Sequence, residues 1–386
     1  MNQDSHPDPE RPNHCYAMCP NHCYAMYCYA MYRGLLRYVQ GSSCPMFYSQ
    51  LLTPHIQNPM RIAIPVATTI DIPYNQRSAP AYASAVTRSG GDPIPIDLTL
   101  PPSEILALAA TCDGILLPGS PADVDPALYG QPRDPATARA DAPREAADYL
   151  LLDHAAATGK PILAICFGLQ SLNVWSGGSL LQDLTPLPVN HEAGSSVAIA
   201  HTILVAPESL FATLLTPEEA PISGDFLRLA INTSHHQAVA APGENLRIVA
   251  RCPDDGVIEA LELAPTAKLF HVEHLLTAPG PLPNPTEIIP LEPPIPGSEL
   301  FHVEHLPIPA EASEGQASQS KTDLKLFHVE HSHPQFVLAV QWHPERSYDI
   351  SPASRAIFDR LILEARKFQA LGLEVLRPLP LGTPRL

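Results

Sequence analysis

Short apolar runs alternate with amphipathic stretches along the middle of the chain. Arg61 to Val66 (RIAIPV) is a β-like run, and Ala79 to Ser89 reads as a helix ending at Gly90-Gly91. Ile94 to Ile96 predicts a short strand. Ser103 is the expected cap of a helix over Glu104 to Thr111, and Gly114 to Leu117 predicts another strand. Arg144 to Thr158 has a strong amphipathic pattern stopped by Gly159, and Ile162 to Ile165 is apolar throughout. Short apolar strands separated by helices need cover on both faces, which is the condition of a parallel sheet. From Ala200 onward the strands follow one another more closely, predicting an antiparallel extension. Phe336 to Trp342 adds a strand, and a last helix begins near Ser351 and runs to about Lys367. The expected fold class is α/β: a mostly parallel central sheet flanked by helices, with an antiparallel extension.

Two stretches break this pattern. NHCYAM occurs at Asn13 to Met18 and again at Asn21 to Met26, followed by CYAM at Cys28 to Met31. LFHVEH occurs at Leu269 to His274, Leu300 to His305 and Leu326 to His331, with proline-rich sequence between the copies. Thiols near His14 and His22, and paired histidines flanking a glutamate, are both zinc-type donor sets. The first spacing matches no CxxC pair. HVEH places its histidines at i and i+3, whereas HExxH puts them on one helix face at i and i+4. Near-perfect copying of a short word is the mark of an expanded repeat, so no metal is expected at either. The chain then divides into residues 1–59, a repeat-bearing extension expected to be disordered, and residues 60–264 plus 335–369, one α/β domain. Residues 265–334 form a proline-rich insertion expected to be disordered, and residues 370–386 a tail.

Composition narrows the function classes. The 386 residues are 45% hydrophobic, enough for a sizeable core, and include 45 prolines, some of them crowded into stretches such as Pro279 to Pro285 and Pro290 to Pro296. With 23 basic and 40 acidic residues the net charge is −17, which argues against nucleic acid or an anionic membrane as partner. No apolar run approaches the roughly 20 residues that cross a bilayer, and no secretory h-region is evident, so a soluble cytoplasmic protein is expected. Outside the N-terminal 59 residues only Cys112, Cys166 and Cys252 remain, too few for a disulfide framework.

Cys166 lies where the apolar PILAI gives way to FGLQSLNVW. A sharp strand-to-helix turn presents a side chain at the C-terminal edge of the sheet, and Gly168 permits a tight one. A helix N-terminus favours a thiolate and offers unpaired N–H groups to an oxyanion. A buried structural cysteine is the competing reading. The strand FVLAVQW runs into His343-Pro344-Glu345. A catalytic thiol needs a base, and the base needs an acceptor that fixes its tautomer. At the end of an extended segment residues i and i+2 face the same way, so His343 and Glu345 are expected to converge on one site.

These segments resemble the class I glutamine amidotransferase-like superfamily, with its Cys-His-Glu triad, and within it the γ-glutamyl-γ-aminobutyrate hydrolases. The residues that carry the resemblance are LLPGSPADVDPALYG (Leu116 to Gly130), ILAICFGLQSLNVWSGGSLLQDL (Ile162 to Leu184), NTSHHQAV (Asn232 to Val239), DDGVIEALE (Asp254 to Glu262) and VQWHPE (Val340 to Glu345). They cover most of the core and none of 1–59 or 265–334. The resemblance implies a flavodoxin-like sheet, Cys166 as nucleophile, His343 as base and Glu345 as its orienter. It implies an oxyanion hole from the Gly119 region and the Phe167 N–H, with Gln170 at the glutamyl contact and Ser120, His235 and His236 beside the substrate. Asp123, Asp125 and Tyr129 either touch an amine-bearing substrate or make turns. Ala164 replaces the first glycine of the usual elbow, and Phe167 stands where Arg or Leu is common, which bears on the leaving group. The insertion precedes the His-Glu strand, so its effect on that strand decides activity.

The implied activity is hydrolysis of the γ-glutamyl amide bond of a small γ-glutamyl amine through a γ-glutamyl-cysteinyl intermediate. It needs water and no cofactor or metal, and a homodimer is compatible with it. Three alternatives stand beside it: a glutaminase subunit supplying ammonia to a separate synthetase, a folate-type γ-glutamyl hydrolase, and a non-catalytic binding or scaffold protein in which the repeats recruit metal or partners.

Overall fold

A computed structural model of the chain describes residues 58–184, 188–265, 267–269 and 335–375. The NHCYAM repeats, the LFHVEH copies beyond Leu269 and the tail past Val375 lie outside the described residues, as do the expectations attached to them. The first strands and helices are β1 (Met60–Pro65), α1 (Ile72–Arg88), β2 (Gly91–Ile96), α2 (Pro102–Ala110), β3 (Gly114–Leu117), α3 (Ala142–Thr158), β4 (Ile162–Ile165) and α4 (Phe167–Trp175). After them come β5 (Ser179–Leu181), β6 (His201–Val205), β7 (Ile222–Ser223), β8 (Phe226–Ile231), β9 (Ala238–Ala241), β10 (Leu246–Arg251) and β11 (Ile258–Leu263). The strand β12 (Val337–Val340) and the helix α5 (Pro352–Val375) complete the set.

The described strands form one 12-stranded sheet in the order β2-β1-β3-β4-β12-β11-β10-β6-β8-β7, with β5 and β9 branching from β11. The β2-β1-β3-β4-β12 half is parallel, and β12 pairs antiparallel with β11, where the extension begins. The central strands are apolar at every position because both faces are covered. Ile115, Leu117, Ile162, Ala164, Val337 and Ala339 pack on one side with residues of α2, α3 and α4. Leu116, Leu163, Ile165, Leu338 and Val340 pack on the other with residues of α1 and α5. Side chains alternate across a strand, so a run with two buried faces shows no polar positions.

Several boundaries differ from the sequence reading, each for a local reason. α1 starts at Ile72, because Asp71 caps it by accepting from the Tyr74 N–H at 2.9 Å, and Pro80 is accommodated inside it. β2 reaches back to Gly91 despite Pro93 and Pro95, since it is an edge strand where a missing N–H is tolerated. Ser103 lies inside the first turn of α2 and makes no cap; the cap position is Pro101, with no side-chain bond. α5 extends to Val375. At the other boundary of the insertion, Leu269 is buried and joins the core, and Asn245 Nδ2 donates to the Lys268 carbonyl at 3.0 Å. β12 sits in register between β4 and β11, with Val340 opposite both Ile165 and Ala260. The insertion that precedes this strand leaves its pairing intact.

This topology fixes where chemistry can occur. β3, β4 and β12 are parallel neighbours, and Pro118-Gly119, Cys166 and His343 all follow their C-terminal ends. Ligands of open α/β sheets bind at that edge.

Candidate active site

Cys166 has φ 53° and ψ −107°, in the region that L-residues avoid. Such a backbone costs on the order of 1–3 kcal/mol and persists only where its surroundings hold it. Here the Cys166 N–H donates to the Val340 carbonyl at 2.8 Å, and its carbonyl accepts from the Gln170 N–H at 3.1 Å. β12 grips one side of the elbow and α4 the other. The helix also presses on β3: a Cβ at Gly168 would stand 2.3 Å from the Leu117 carbonyl oxygen. Only glycine allows this approach. Ala164, small and fully buried in β4, fits beneath the turn.

His343 closes the other half of the site. Its Nδ1 lies 2.8 Å from Glu345 Oε1. The two were expected to converge by alternation along an extended segment; instead Pro344–Arg346 is a 3₁₀ turn, and that turn brings the carboxylate beside the ring. Accepting at Nδ1, Glu345 fixes the tautomer and leaves Nε2 for the sulfur. The Cys166 thiol lies close enough to the ring to act on its charge. Asn232 holds the His343 backbone from both sides, donating from Nδ2 to its carbonyl at 2.8 Å and accepting its N–H at 2.9 Å. Burial opposes charge on the imidazole, but Glu345 and then Cys166 outweigh it, raising His343 from its usual range near 6.5 to about 9.

The third side of the site is the loop after β3. A Cβ on Gly119 would lie 2.8 Å from His343 Cε1 and 3.5 Å from Cys166 Cβ, so the imidazole and the base of the cysteine side chain both border this loop. Arg144 holds the loop from below. Fully buried, it donates to the Pro118 carbonyl at 2.6 Å, the Ala67 carbonyl at 2.7 Å and Asp148 Oδ1 at 2.7 Å. The Gly119 N–H donates to Tyr82 Oη at 3.0 Å. This departs from the expected oxyanion role: the buried tyrosine hydroxyl takes the amide as its partner and also lies 3.3 Å from His343 Nδ1. The Phe167 N–H opens α4 and has no acceptor within the helix.

A cavity of about 210 Å³ opens over the sulfur and is lined by Cys166, Ser120, Gln170, His235 and His236, together with Asp123 and Glu192. The four expected substrate contacts thus share one cavity with the thiol, but their polar atoms differ in freedom. Gln170 Nε2 donates to the Gln237 carbonyl at 3.0 Å, and Ser120 Oγ accepts from the Ala122 N–H at 3.1 Å. His235 Nδ1 donates to the Gln237 carbonyl at 2.9 Å, and its Nε2 faces Glu259 at 3.7 Å. His236 Nε2 lies 3.0 Å from Asp123 and its Nδ1 3.4 Å from Asp183. Asp125 makes a turn by accepting from the Ala127 N–H, whereas Asp123 faces His236. The Phe167 ring turns away from the cavity and lies under the Arg144 guanidinium, 4.8 Å from the ring centre.

Tyr82, Asn232 and Arg144 had no role in the sequence reading, although each touches His343 or the loop beside it. A buried-face Arg in α3 and the polar residue opening NTSHHQ were the available signals. Nothing local marked Tyr82, whose contacts are formed across the whole domain.

Fold and site together define an α/β protein with a cysteine at a strained elbow and a His-Glu pair on the neighbouring strand. The family model for Peptidase C26 matches residues 66–272, and the chain belongs to that family. That match ends before β12. Protein NtpR of Enterococcus hirae is 32% identical over 198 residues, covering 50% of this chain and 77% of that protein. The γ-glutamyl-γ-aminobutyrate hydrolase PuuD of Escherichia coli K12 is 34% identical over 191 residues, covering 47% of this chain and 71% of the relative. No described helix is long and apolar enough to cross a membrane.

Proposed function

We propose that the chain hydrolyses the γ-glutamyl amide bond of a small γ-glutamyl amine, of the γ-glutamyl-γ-aminobutyrate kind, with Cys166 as nucleophile. The observation that carries this reading is that Cys166, on its strained turn, and an imidazole already paired to Glu345 border the same glycine. Membership of Peptidase C26 and the likeness to PuuD supply the bond type.

The sulfur attacks the γ-carbonyl, and the Phe167 N–H faces the developing oxyanion; Gly119 contributes its N–H only on release from Tyr82. One such donor is worth about 3–4 kcal/mol in the transition state. His343, protonated, delivers its proton to the departing amine, which leaves a γ-glutamyl thioester. Water deprotonated by the neutral ring then cleaves the thioester and restores the thiol. Asp123 and Glu192 on the cavity wall suit an ammonium group of the glutamyl moiety.

A panel of γ-glutamyl amines tests the substrate class. Release of free amine and glutamate from γ-glutamyl-γ-aminobutyrate, faster than from glutamine, is the expected result. Turnover of glutamine alone, and only with a partner protein present, contradicts it and indicates a glutaminase subunit.

The pH profile tests the His343 assignment. Because the proton donor titrates at about 9, kcat/KM is expected to fall on the alkaline side around that value. Glu345→Gln removes the negative charge that favours the protonated ring, so the limb shifts toward lower pH, in the direction of the usual value of about 6.5. An alkaline limb that stays in place in Glu345→Gln contradicts the assignment.

A further inference from the structure

Outside the Cys166 site the sheet holds a second group of buried side chains. Glu259 lies on β11, His201 opens β6, and His191 and His235 come from adjoining loops. The loops are tied together: the His235 N–H and the Thr233 hydroxyl both donate to the His191 carbonyl at 2.9 Å. Relative exposure is 0% for Glu259, 3% for His191, 6% for His235 and 8% for His201.

The outer nitrogen of each ring has an acceptor. His191 Nε2 lies 2.8 Å from Asp255 Oδ2, His201 Nδ1 lies 3.2 Å from the Thr202 carbonyl, and His235 Nδ1 lies 2.9 Å from the Gln237 carbonyl. A carbonyl oxygen can only accept, so His201 and His235 must carry their protons on Nδ1. In the neutral rings their Nε2 atoms are therefore lone pairs, and in a neutral His191 that donates from Nε2 to Asp255 the same holds for Nδ1. All three inner nitrogens face Glu259 Oε1, at 3.3 Å from His191, 3.5 Å from His201 and 3.7 Å from His235. None of them, and neither Glu259 oxygen, has a hydrogen-bond partner.

Acceptors aimed at one another inside a protein repel unless a cation lies between them. Direct charge-assisted hydrogen bonds to the carboxylate would be about 2.7–2.9 Å long, shorter than any of the three. The spacing suits a metal better. With zinc–nitrogen bonds of about 2.0–2.1 Å, neighbouring ligand atoms of a tetrahedron stand about 3.3 Å apart. The ligand atoms of His191, His201 and Glu259 lie within 4.8 Å of one another. Asp255 behind His191, and the carbonyls behind the other two rings, are the outer partners that orient metal-binding imidazoles.

We propose that His191, His201 and Glu259 form a three-ligand divalent-metal site, with His235 beside it, for which zinc is the ion suited to two imidazoles and a carboxylate. All three ligands are buried and none lines the Cys166 cavity, so the ion is structural. It joins β6 and β11 to the loop that carries His191. This site is independent of the reaction assigned to Cys166. The rival occupant is a proton on His191, shared between Asp255 and Glu259.

The test uses the full chain stripped of metal. His271, His274, His302, His305, His328 and His331 of the LFHVEH copies are replaced by glutamine, because they are competing ligands. Titration with zinc is expected to show one tight equivalent and a raised melting temperature. Cobalt substitution should give a tetrahedral visible spectrum without thiolate charge-transfer bands. Glu259→Gln and His201→Gln should each weaken zinc binding by about 100-fold or more, since losing even an outer-shell partner costs about 10–100-fold. Absence of a tight equivalent in the repeat-substituted chain overturns the proposal and leaves the proton as occupant. So does unchanged affinity in both variants. If the variants do not fold, the stoichiometry and cobalt spectrum of the repeat-substituted parent decide the matter.

Discussion

Cys166→Ala is expected to reduce amide hydrolysis by about 10⁴–10⁶-fold, the range seen when a nucleophile acting as part of a unit is removed. The loss should appear in kcat, because the cavity wall that binds the substrate is untouched. Cys166→Ser should fall in the same range: the hydroxyl is a much weaker nucleophile at neutral pH, and the site is spaced for sulfur. Alanine at this position has the same unfavourable φ as cysteine, so the backbone strain is unchanged and the urea midpoint should remain close to that of the parent. Steady-state rates with γ-glutamyl-γ-aminobutyrate, together with that midpoint, check both halves. Turnover within tenfold of the parent in a folded Cys166→Ala protein contradicts the assigned nucleophile.

Arg144→Met is expected to lower folding stability by about 3–5 kcal/mol, the cost of breaking a fully buried ion pair from one side. Arg144 and Asp148 are both wholly enclosed, and the guanidinium also satisfies the Ala67 and Pro118 carbonyls. Burial pushes the Asp148 carboxyl up and the neighbouring guanidinium is the main offset, with a smaller one from Ser171, so the single substitution leaves a buried acid that must either stay charged without a cation or take up a proton. Arg144→Met combined with Asp148→Leu removes both charges and should recover a large part of the loss. Pro118 precedes Gly119, so the single variant should also reduce kcat by loosening the loop against His343. Urea denaturation of the two variants measures the effect; a loss below about 1 kcal/mol in the single variant contradicts the supporting role.

The parts of the fold legible in sequence are those with a local cause. β3 and β4 announce themselves because strands covered on both faces contain no polar positions. α3 ends where Gly159 adopts a left-handed φ of 75°, as its sequence position foretold. Cys166 and the His343-Glu345 segment were recognisable as candidates because each follows an apolar strand. Their proximity is a property of topology: it requires β12 to pair with β4 across nearly 180 residues of sequence, and no local pattern expresses that.

Where the reading departed from the structure, tertiary context prevailed over local preference. Pro93 and Pro95 obscured the start of β2, which tolerates them only because it is at the edge. Pro80 hid the first half of α1, whereas Asp71 is the side chain that starts it. The Gly119 amide looked free from its motif, but the buried hydroxyl of Tyr82 takes it. The cluster around Glu259 draws on segments as distant as His191 and Glu259 and shows no regular ligand spacing. The histidines that recur as close pairs in sequence are those of the LFHVEH repeats instead.

Covalent capture of the substrate addresses the central claim most directly. The full chain, mixed with γ-glutamyl-γ-aminobutyrate and quenched in acid during turnover, is digested and its cysteine peptides are weighed. The peptide containing Cys166 is predicted to carry a γ-glutamyl group that is labile to hydroxylamine, and Cys112 and Cys252, which do not line the cavity, are predicted to carry none. Steady release of γ-aminobutyrate with Cys166 unmodified, or with the glutamyl group on another residue, would contradict the account.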